Sequence, residues 1–531
     1  MSIVQGARPS PEVISKHQSK SRLGSLVWFA MAVLVLCAAA VVNGQPFFYP
    51  DTTAYVRGAE MGLTKVLGER FRTDLLPPEA VHAPIEPQAD PQFSAALPKT
   101  LGSADRKARG LTSIEDKIVL AGRSVYYGAL LYVAYVTSEF WLAVVLQAMA
   151  VAYLLHLLIV RLWGLGGPVL LGTLTALVLL TPVSGFTGLL MPDIFAPLVI
   201  LSMAILGLYW RELGRGDRVA IGLILVAGLV SHASHIALAA ALWVVLLSAR
   251  LAGSTKWRAS TGALAIAAVC IGGALAAEWT FNKAVTVVLG EAPLRLPYLT
   301  ARLVDTGPGT AYLQATCPAS GYSACAYVHN FPTKWDLFMF SIDPSKGAFA
   351  LASANEKRKF SAEQIRFFFD VFRYDPLGVL RTMGAGAIGQ LASFGVHVIR
   401  YSPENMVGYE ARLPTDVFAR MQRARIAGHP AWSEAMTALT YLTVIVAMVA
   451  GAFLLWRGRL DAVEQTTRLR SFALLVITGV VANALICGVL ASPYDRFQAR
   501  VIWLVPLVAI VGWVSWRRAI NPETSQKESH R

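Results

Sequence analysis

The chain has 531 residues, 55% of them hydrophobic and only 15% charged, with a mean hydropathy of +0.51. Soluble domains carry about 25% charged residues, and here the apolar residues gather in charge-free runs such as Leu26–Val42, Ile194–Trp210 and Val501–Trp516. Those runs exclude a cytosolic enzyme, a disordered chain and a small disulfide scaffold, and they predict an all-α polytopic membrane protein.

Ten membrane segments are expected: Leu23–Val42, Phe140–Val160, Pro168–Leu180, Ile194–Trp210, Val219–Val230, Ile236–Ser248, Thr261–Glu278, Glu434–Trp456, Ser471–Leu490 and Val501–Trp516. The net charge is +14, from 47 basic and 33 acidic side chains. Its location argues for topology rather than nucleic-acid binding. With the N-terminus inside, the six cytosolic stretches hold 19 basic residues, including Arg161, Arg211, Arg250 and Arg470, whereas the three short outward tips hold only Arg496 and Arg500. Cytosolic excess of Lys and Arg is what orients multi-pass proteins.

This orientation divides the chain into a basic cytosolic tail (1–22), a transmembrane core (23–278) with an external loop (43–139), an external segment (279–433), two C-terminal hairpin arms and their neighbour (434–516), and a second cytosolic tail (517–531). The first segment also resembles a signal peptide around Ala38–Ala40, but is read as a helix. The Pro-rich stretch Pro77–Pro98 predicts an irregular loop. The segment 279–433 is long enough for a small external domain, and its amphipathic stretches Ser361–Tyr374 and Pro376–Leu391 predict helices along the membrane surface. Cys37, Cys270 and Cys487 fall in membrane helices and read as small core residues. Cys317 and Cys325, in the external segment, predict a disulfide.

Short cytosolic connections leave little room for a nucleotide-binding domain, and neither a P-loop nor a G-x-G-x-x-G turn is present. Polar chemistry therefore has to be sought at the outward tips. Val219–Ser248 has cytosolic basic residues at both ends, and its arms of 12 to 13 residues reach only about 20 Å. That falls short of a hydrocarbon core of about 30 Å, so the tip carrying His232 and His235 is expected below the outer surface, lining a wet cavity. The alternative is a pair of histidines bonded within a tight turn. The next tip, Pro182–Asp193, has Asp193 as its only charge, and the last, Ser492–Arg500, carries Arg496 and Arg500, whose forks suit phosphate oxygens. Asp51 follows the first helix and precedes an amphipathic stretch through Leu67. Helix capping would account for Asp51 and Asp193, and an internal Asp495–Arg496 pair for the last tip.

At these residues the chain resembles the polytopic glycosyltransferases of the GT-C class: protein mannosyltransferases, oligosaccharyltransferases and lipid A aminoarabinose transferases. Asp51 matches their first-loop aspartate and Asp193 an acidic residue of the second loop. The resemblance covers the helices up to about Glu278 best. It implies a polyprenyl-phosphate-linked sugar donor, an active site facing the exterior of the plasma (inner) membrane, and a glycan, lipid or protein acceptor. Pro50-Asp51-Thr52-Thr53 stands where the family has a paired acidic motif, which leaves the use of a divalent metal open. Asp51 is then the expected base and Asp193 its partner or a metal ligand. His232, His235, Arg123, Arg496 and Arg500 are expected to contact the donor phosphate, and Tyr126 the sugar. The rivals are an O-antigen-type polymerase or ligase, which would rely on arginine and histidine, and a non-enzymatic envelope-lipid transporter.

Overall fold

The structure, a computed structural model, describes residues 11–75, 118–253, 259–341, 343–410, 413–457 and 464–520. The predicted loop Pro77–Pro98, residues 1–10 and 521–531, and Lys256, Arg258 and Arg459 lie outside them. No strand forms among the described residues. Among the described residues the extended pairings are the isolated bridges Phe47–Leu189 and Leu120–Leu294.

In chain order the helices are α1 (Pro11–Asn43), α2 (Thr52–Leu67), α3 (Val125–Ser138), α4 (Trp141–His156, continued as a π-turn Leu157–Leu162), α5 (Gly167–Leu180), α6 (Val183–Gly188) and α7 (Phe195–Tyr209). Next come α8 (Arg215–Ser231), α9 (Ala233–Leu251), α10 (Thr261–Leu289), α11 (Tyr298–Thr306), α12 (Pro308–Thr316), α13 (Trp335–Phe340) and α14 (Ala354–Tyr374). The last are α15 (Pro376–Ala392), α16 (Pro403–Glu410), α17 (Thr415–Gln422), α18 (Pro430–Arg457), α19 (Glu464–Leu490), α20 (Asp495–Ile502) and α21 (Leu504–Ile520).

Eight helical stretches among the described residues are long and apolar enough to cross a membrane, and the protein is accordingly a multi-pass membrane protein. They lie in α1, α4, α7, α9, α10, α18, α19 and the α20–α21 run. The other two predicted segments are also helical but shorter, α5 with 14 residues and α8 with 17.

Three helices run longer than their apolar runs predict, because nothing in the sequence breaks them where hydropathy falls. Helix α10 continues past Glu278 to Gly290, which takes positive φ and ends it. At 29 residues it is about 43 Å long, more than a hydrocarbon thickness. Helices α8 and α9, at 17 and 19 residues, reach about 26 and 29 Å, since each continues into its charged flank. The extra residues of α8 lie mainly at its charged Arg215–Arg218 end, which leaves the apolar arm leading to the His232 tip close to its expected length. The segment between Asn43 and Glu139, expected as one loop, contributes two helices, α2 and α3, that pack on each other.

Two hydrophobic cores form. The larger gathers α1, α4, α7 and the inner faces of α8, α9 and α19. Helix α7 is buried on nearly every side, which explains why its sequence is apolar all round. The smaller core packs Phe338, Phe349, Phe360 and Phe367 with Ile118 and Leu120, so a strand-like piece preceding α3 joins residues 294–379. Cys317 and Cys325 are bridged beside it.

Candidate functional site

Local backbone pairing brings the first two tips together. Phe47 donates its N–H to the Gly188 carbonyl and Leu190 donates to the Phe47 carbonyl, both at 2.9 Å. The Thr52 hydroxyl adds a bond to the Leu190 carbonyl. A Cβ on Gly188 would press on Ala40 and the Phe47 ring, so glycine permits this approach. Gln147, an amide inside an otherwise apolar helix, fastens the other side by donating to the Thr187 and Leu189 carbonyls.

Neither aspartate caps a helix. Asp51 occupies the position before α2 but makes no capping bond with its side chain. Its carboxylate instead accepts from Arg123 in a close ion pair. Arg123 is held just ahead of α3, where Ser124 caps the helix and donates to the Val230 carbonyl at the end of α8. Burial works against the Arg123 charge, but the Asp51 carboxylate beside it outweighs that and keeps the guanidinium pKa above its ordinary value.

Asp193 is 2% exposed and lies 3.5 Å from both Arg496 Nε and Arg500 Nη1. The Asp495–Arg496 neighbour pair, the alternative account of this tip, gives way to a contact across the molecule. Arg500 also reaches Asn483 Oδ1 at 3.1 Å and Ser234 Oγ at 3.5 Å, and its Nη2 lies 3.6 Å from Cys487 Sγ. The Arg496 guanidinium lies over the Tyr49 ring, 4.5 Å from its centroid, and Tyr49 and Tyr494 share a hydroxyl contact of 3.2 Å.

The histidines sit at the edge of this group. His232 Nδ1 accepts from the Ser234 N–H and contacts its hydroxyl, capping α9, while His235 Nδ1 bonds the Gly228 carbonyl. Both rings thus make the tight-turn bonds of the alternative reading. His232 nevertheless lies within electrostatic range of Arg500, Asp193, Arg496 and Asp51, and His235 Nε2 is buried without a partner. Tyr126 is not brought in: its hydroxyl donates to the Ala277 carbonyl of α10 and its ring is 40% exposed.

Sequence reasoning missed Tyr55 and Tyr298. The buried Tyr55 phenol is pushed up first by burial, then by Asp51 and Asp193, against the lowering pull of Arg123 and Arg496. It therefore senses both carboxylates and two of the guanidinium groups. Tyr298 of α11 senses Arg123, Asp51 and Arg496, which sets the edge of the smaller core against the same group. Asn483 was missed too, although an amide inside the apolar run Ser471–Leu490 was a legible signal.

Two carboxylates and three guanidinium groups leave this assembly with one net positive charge. Several buried N–H groups, Arg123 Nε, Arg496 Nη1 and Arg500 Nε among them, lack a hydrogen-bond partner. Unpaired buried donors are costly, and an oxyanion is the ligand that would satisfy them. A divalent cation fits poorly. Among the described residues no group of three or more His, Cys, Asp and Glu side chains could hold a metal ion, and both aspartates already face arginines. No family model, curated protein or solved structure matches the chain.

Proposed function

We propose that this protein is a membrane glycosyltransferase that moves a sugar from a polyprenyl-phosphate-linked donor to a cell-envelope glycan, lipid or protein acceptor at the external face of the plasma membrane. The observation that carries the reading is the convergence of Asp51, Arg123, Asp193, Arg496 and Arg500 from three separate tips, with guanidinium donors left over. Arginine forks match phosphate oxygens, and tyrosines around them offer faces to a sugar.

In this reading Arg496 and Arg500 hold the donor phosphate while Asp193 fixes their orientation. Arg123 turns from Asp51 to the arriving phosphate, which frees the Asp51 carboxylate. Asp51 then takes the acceptor hydroxyl proton as that oxygen bonds to the anomeric carbon. The bond from that carbon to the phosphate oxygen breaks, and the polyprenyl phosphate leaves with the electron pair, its charge met by the arginines.

The pairing of both carboxylates with arginine supports a second reading, an O-antigen-type polymerase or ligase that works with arginine and histidine alone. Asp51→Asn separates the two. Purified protein is supplied with lipid-linked sugar donors extracted from envelopes, and sugar transfer is measured. Loss of a general base lowers the rate by about 10²–10⁴-fold. Full transfer by Asp51→Asn supports the arginine–histidine enzyme, and no transfer by the wild-type protein with any donor contradicts both.

A further inference from the structure

Helix α15 carries a stripe that nothing among the described residues covers. Leu377, Leu380, Ile388 and Leu391 recur at helical spacing and are 78, 56, 71 and 36% exposed. Gly384, Ala385 and Arg381 lie on the same exposed face. The opposite face is close-packed. A Cβ on Gly386 would collide with the Gly488 carbonyl of α19, and one on Gly488 with the Gly386 carbonyl. Backbones that approach through paired glycines are characteristic of helix contacts inside membranes.

The register of that contact fixes the direction of α15. Gly386 meets Gly488, Gly389 meets Pro493, and Gln390 exchanges hydrogen bonds with the Tyr494 backbone. Residue numbers rise together along α15 and along the stretch from Gly488 of α19 to Tyr494 just past its end, so α15 runs alongside the end of α19 in the same direction. Arg468–Leu490 is one of the membrane-crossing stretches. Going back from Gly386, Leu380 and Leu377 therefore stand beside progressively deeper turns of a spanning helix. Helix α14 leads to this point with Ile365, Phe369 and Tyr374 exposed, and Arg366 and Arg373 between them.

We propose that the α14–α15 hairpin dips into the bilayer that α19 crosses, with acyl chains covering the Leu377–Leu380–Ile388 stripe. The hairpin stands beside α19 and does not lie flat along the surface. Eleven residues separate Leu377 from Ile388, so Leu377 sits about 16 Å deeper, half of a hydrocarbon core. This inference does not depend on the proposed glycosyl transfer.

The test uses the full chain in liposomes of phosphatidylcholine and phosphatidylglycerol. Cys37, Cys270 and Cys487 are buried and Cys317 and Cys325 are bridged, so a bimane label reports an introduced thiol. Leu377→Cys, Leu380→Cys and Ile388→Cys occupy exposed positions, and Ser345→Cys on the smaller core is the aqueous control. Lipids with spin labels near the acyl-chain end should quench Leu377→Cys several-fold more than Ile388→Cys, with Leu380→Cys between them. Aqueous iodide should reach only Ser345→Cys. Equal quenching along the stripe means a helix lying flat and overturns the proposal. Iodide quenching of Leu380→Cys overturns it as well. So does protection from both quenchers with disulfide-linked dimers, which identifies a second copy as the cover.

Discussion

Asp193→Asn removes the one charge that balances two buried guanidinium groups while keeping the size of the side chain. At 3.5 Å, two unit charges interact by about 5 kcal/mol at an effective dielectric of about 20. Part of that attraction offsets the desolvation of the ions, so the measurable cost of removing one partner is about 3–5 kcal/mol. The substituted protein keeps Arg496 and Arg500 buried and uncompensated, so the loss should sit within that range. Asp416→Asn is the comparison, because Asp416 is 64% exposed in its pair with Arg420 and such pairs are worth less than about 1 kcal/mol. The assay is reversible unfolding in mixed micelles, read by far-UV dichroism, for Asp193→Asn, Arg500→Gln and the double variant. In the double variant one arginine and its counter-charge leave together, so its loss should fall short of the sum of the single losses by about 1–3 kcal/mol. Strict additivity, or an Asp193→Asn protein within about 0.5 kcal/mol of wild type, would refute the reasoning that Asp193 holds the arginines.

Asp51→Asn and Arg123→Gln should each cost about 1.5–3 kcal/mol, the worth of a charge-assisted hydrogen bond, and the double variant should regain stability yet stay inactive; regained transfer would reduce Asp51 to a structural partner. Burial raises the Asp336 carboxyl pKa against the lowering effect of backbone N–H groups and Lys334. A carboxyl raised on folding stabilises below its unfolded pKa and loses that contribution as pH rises through the folded pKa, so Asp336→Asn should be more stable than wild type at pH 8 and closer to it at pH 4, and the opposite order would contradict the assignment. Reduction or Cys317→Ser should cost about 2–3 kcal/mol, as for a short closed loop, and thiol counting under denaturing, non-reducing conditions should find three free cysteines rather than five. Membrane-impermeant thiol reagents should label Ser345→Cys from outside and spare Gly214→Cys, with the reverse pattern inverting the proposed orientation.

Helix positions were legible in the sequence because membrane helices declare themselves by hydropathy alone, and all ten expected segments are helical. Their ends were not. Helices α8, α9 and α10 run on through charged or polar flanks, where hydropathy falls but no residue stops the helix before His232, Ala252 and Gly290. Helix α3, with 14 residues, escaped notice although shorter apolar runs such as Pro168–Leu180 were expected as segments.

For the candidate site, charge at the tips pointed to Asp51, Arg123, Asp193, Arg496 and Arg500, and the fold gathers these five. What the sequence withheld was the pairing. Asp51 and Asp193 both precede helices, so capping explained them equally well, and only tertiary contacts distinguish a cap from an ion pair. Arg496 sits next to Asp495 in sequence but faces Asp193 in space, because the α20 turn directs neighbouring side chains apart. Tyr126 misled for a related reason: it begins a helix beside Arg123, yet the helical rotation aims it at α10 while Arg123 turns inward.

The central claim is that the arginine-rich group receives the phosphate of a polyprenyl-linked sugar. A structure of the protein with bound polyprenyl phosphate tests it most directly. The account predicts phosphate oxygens within hydrogen-bond distance of Arg496 and Arg500, with Arg123 turned away from Asp51 towards the phosphate. A phosphate seated elsewhere, with the Asp51–Arg123 and Asp193–Arg496–Arg500 contacts intact, would contradict it.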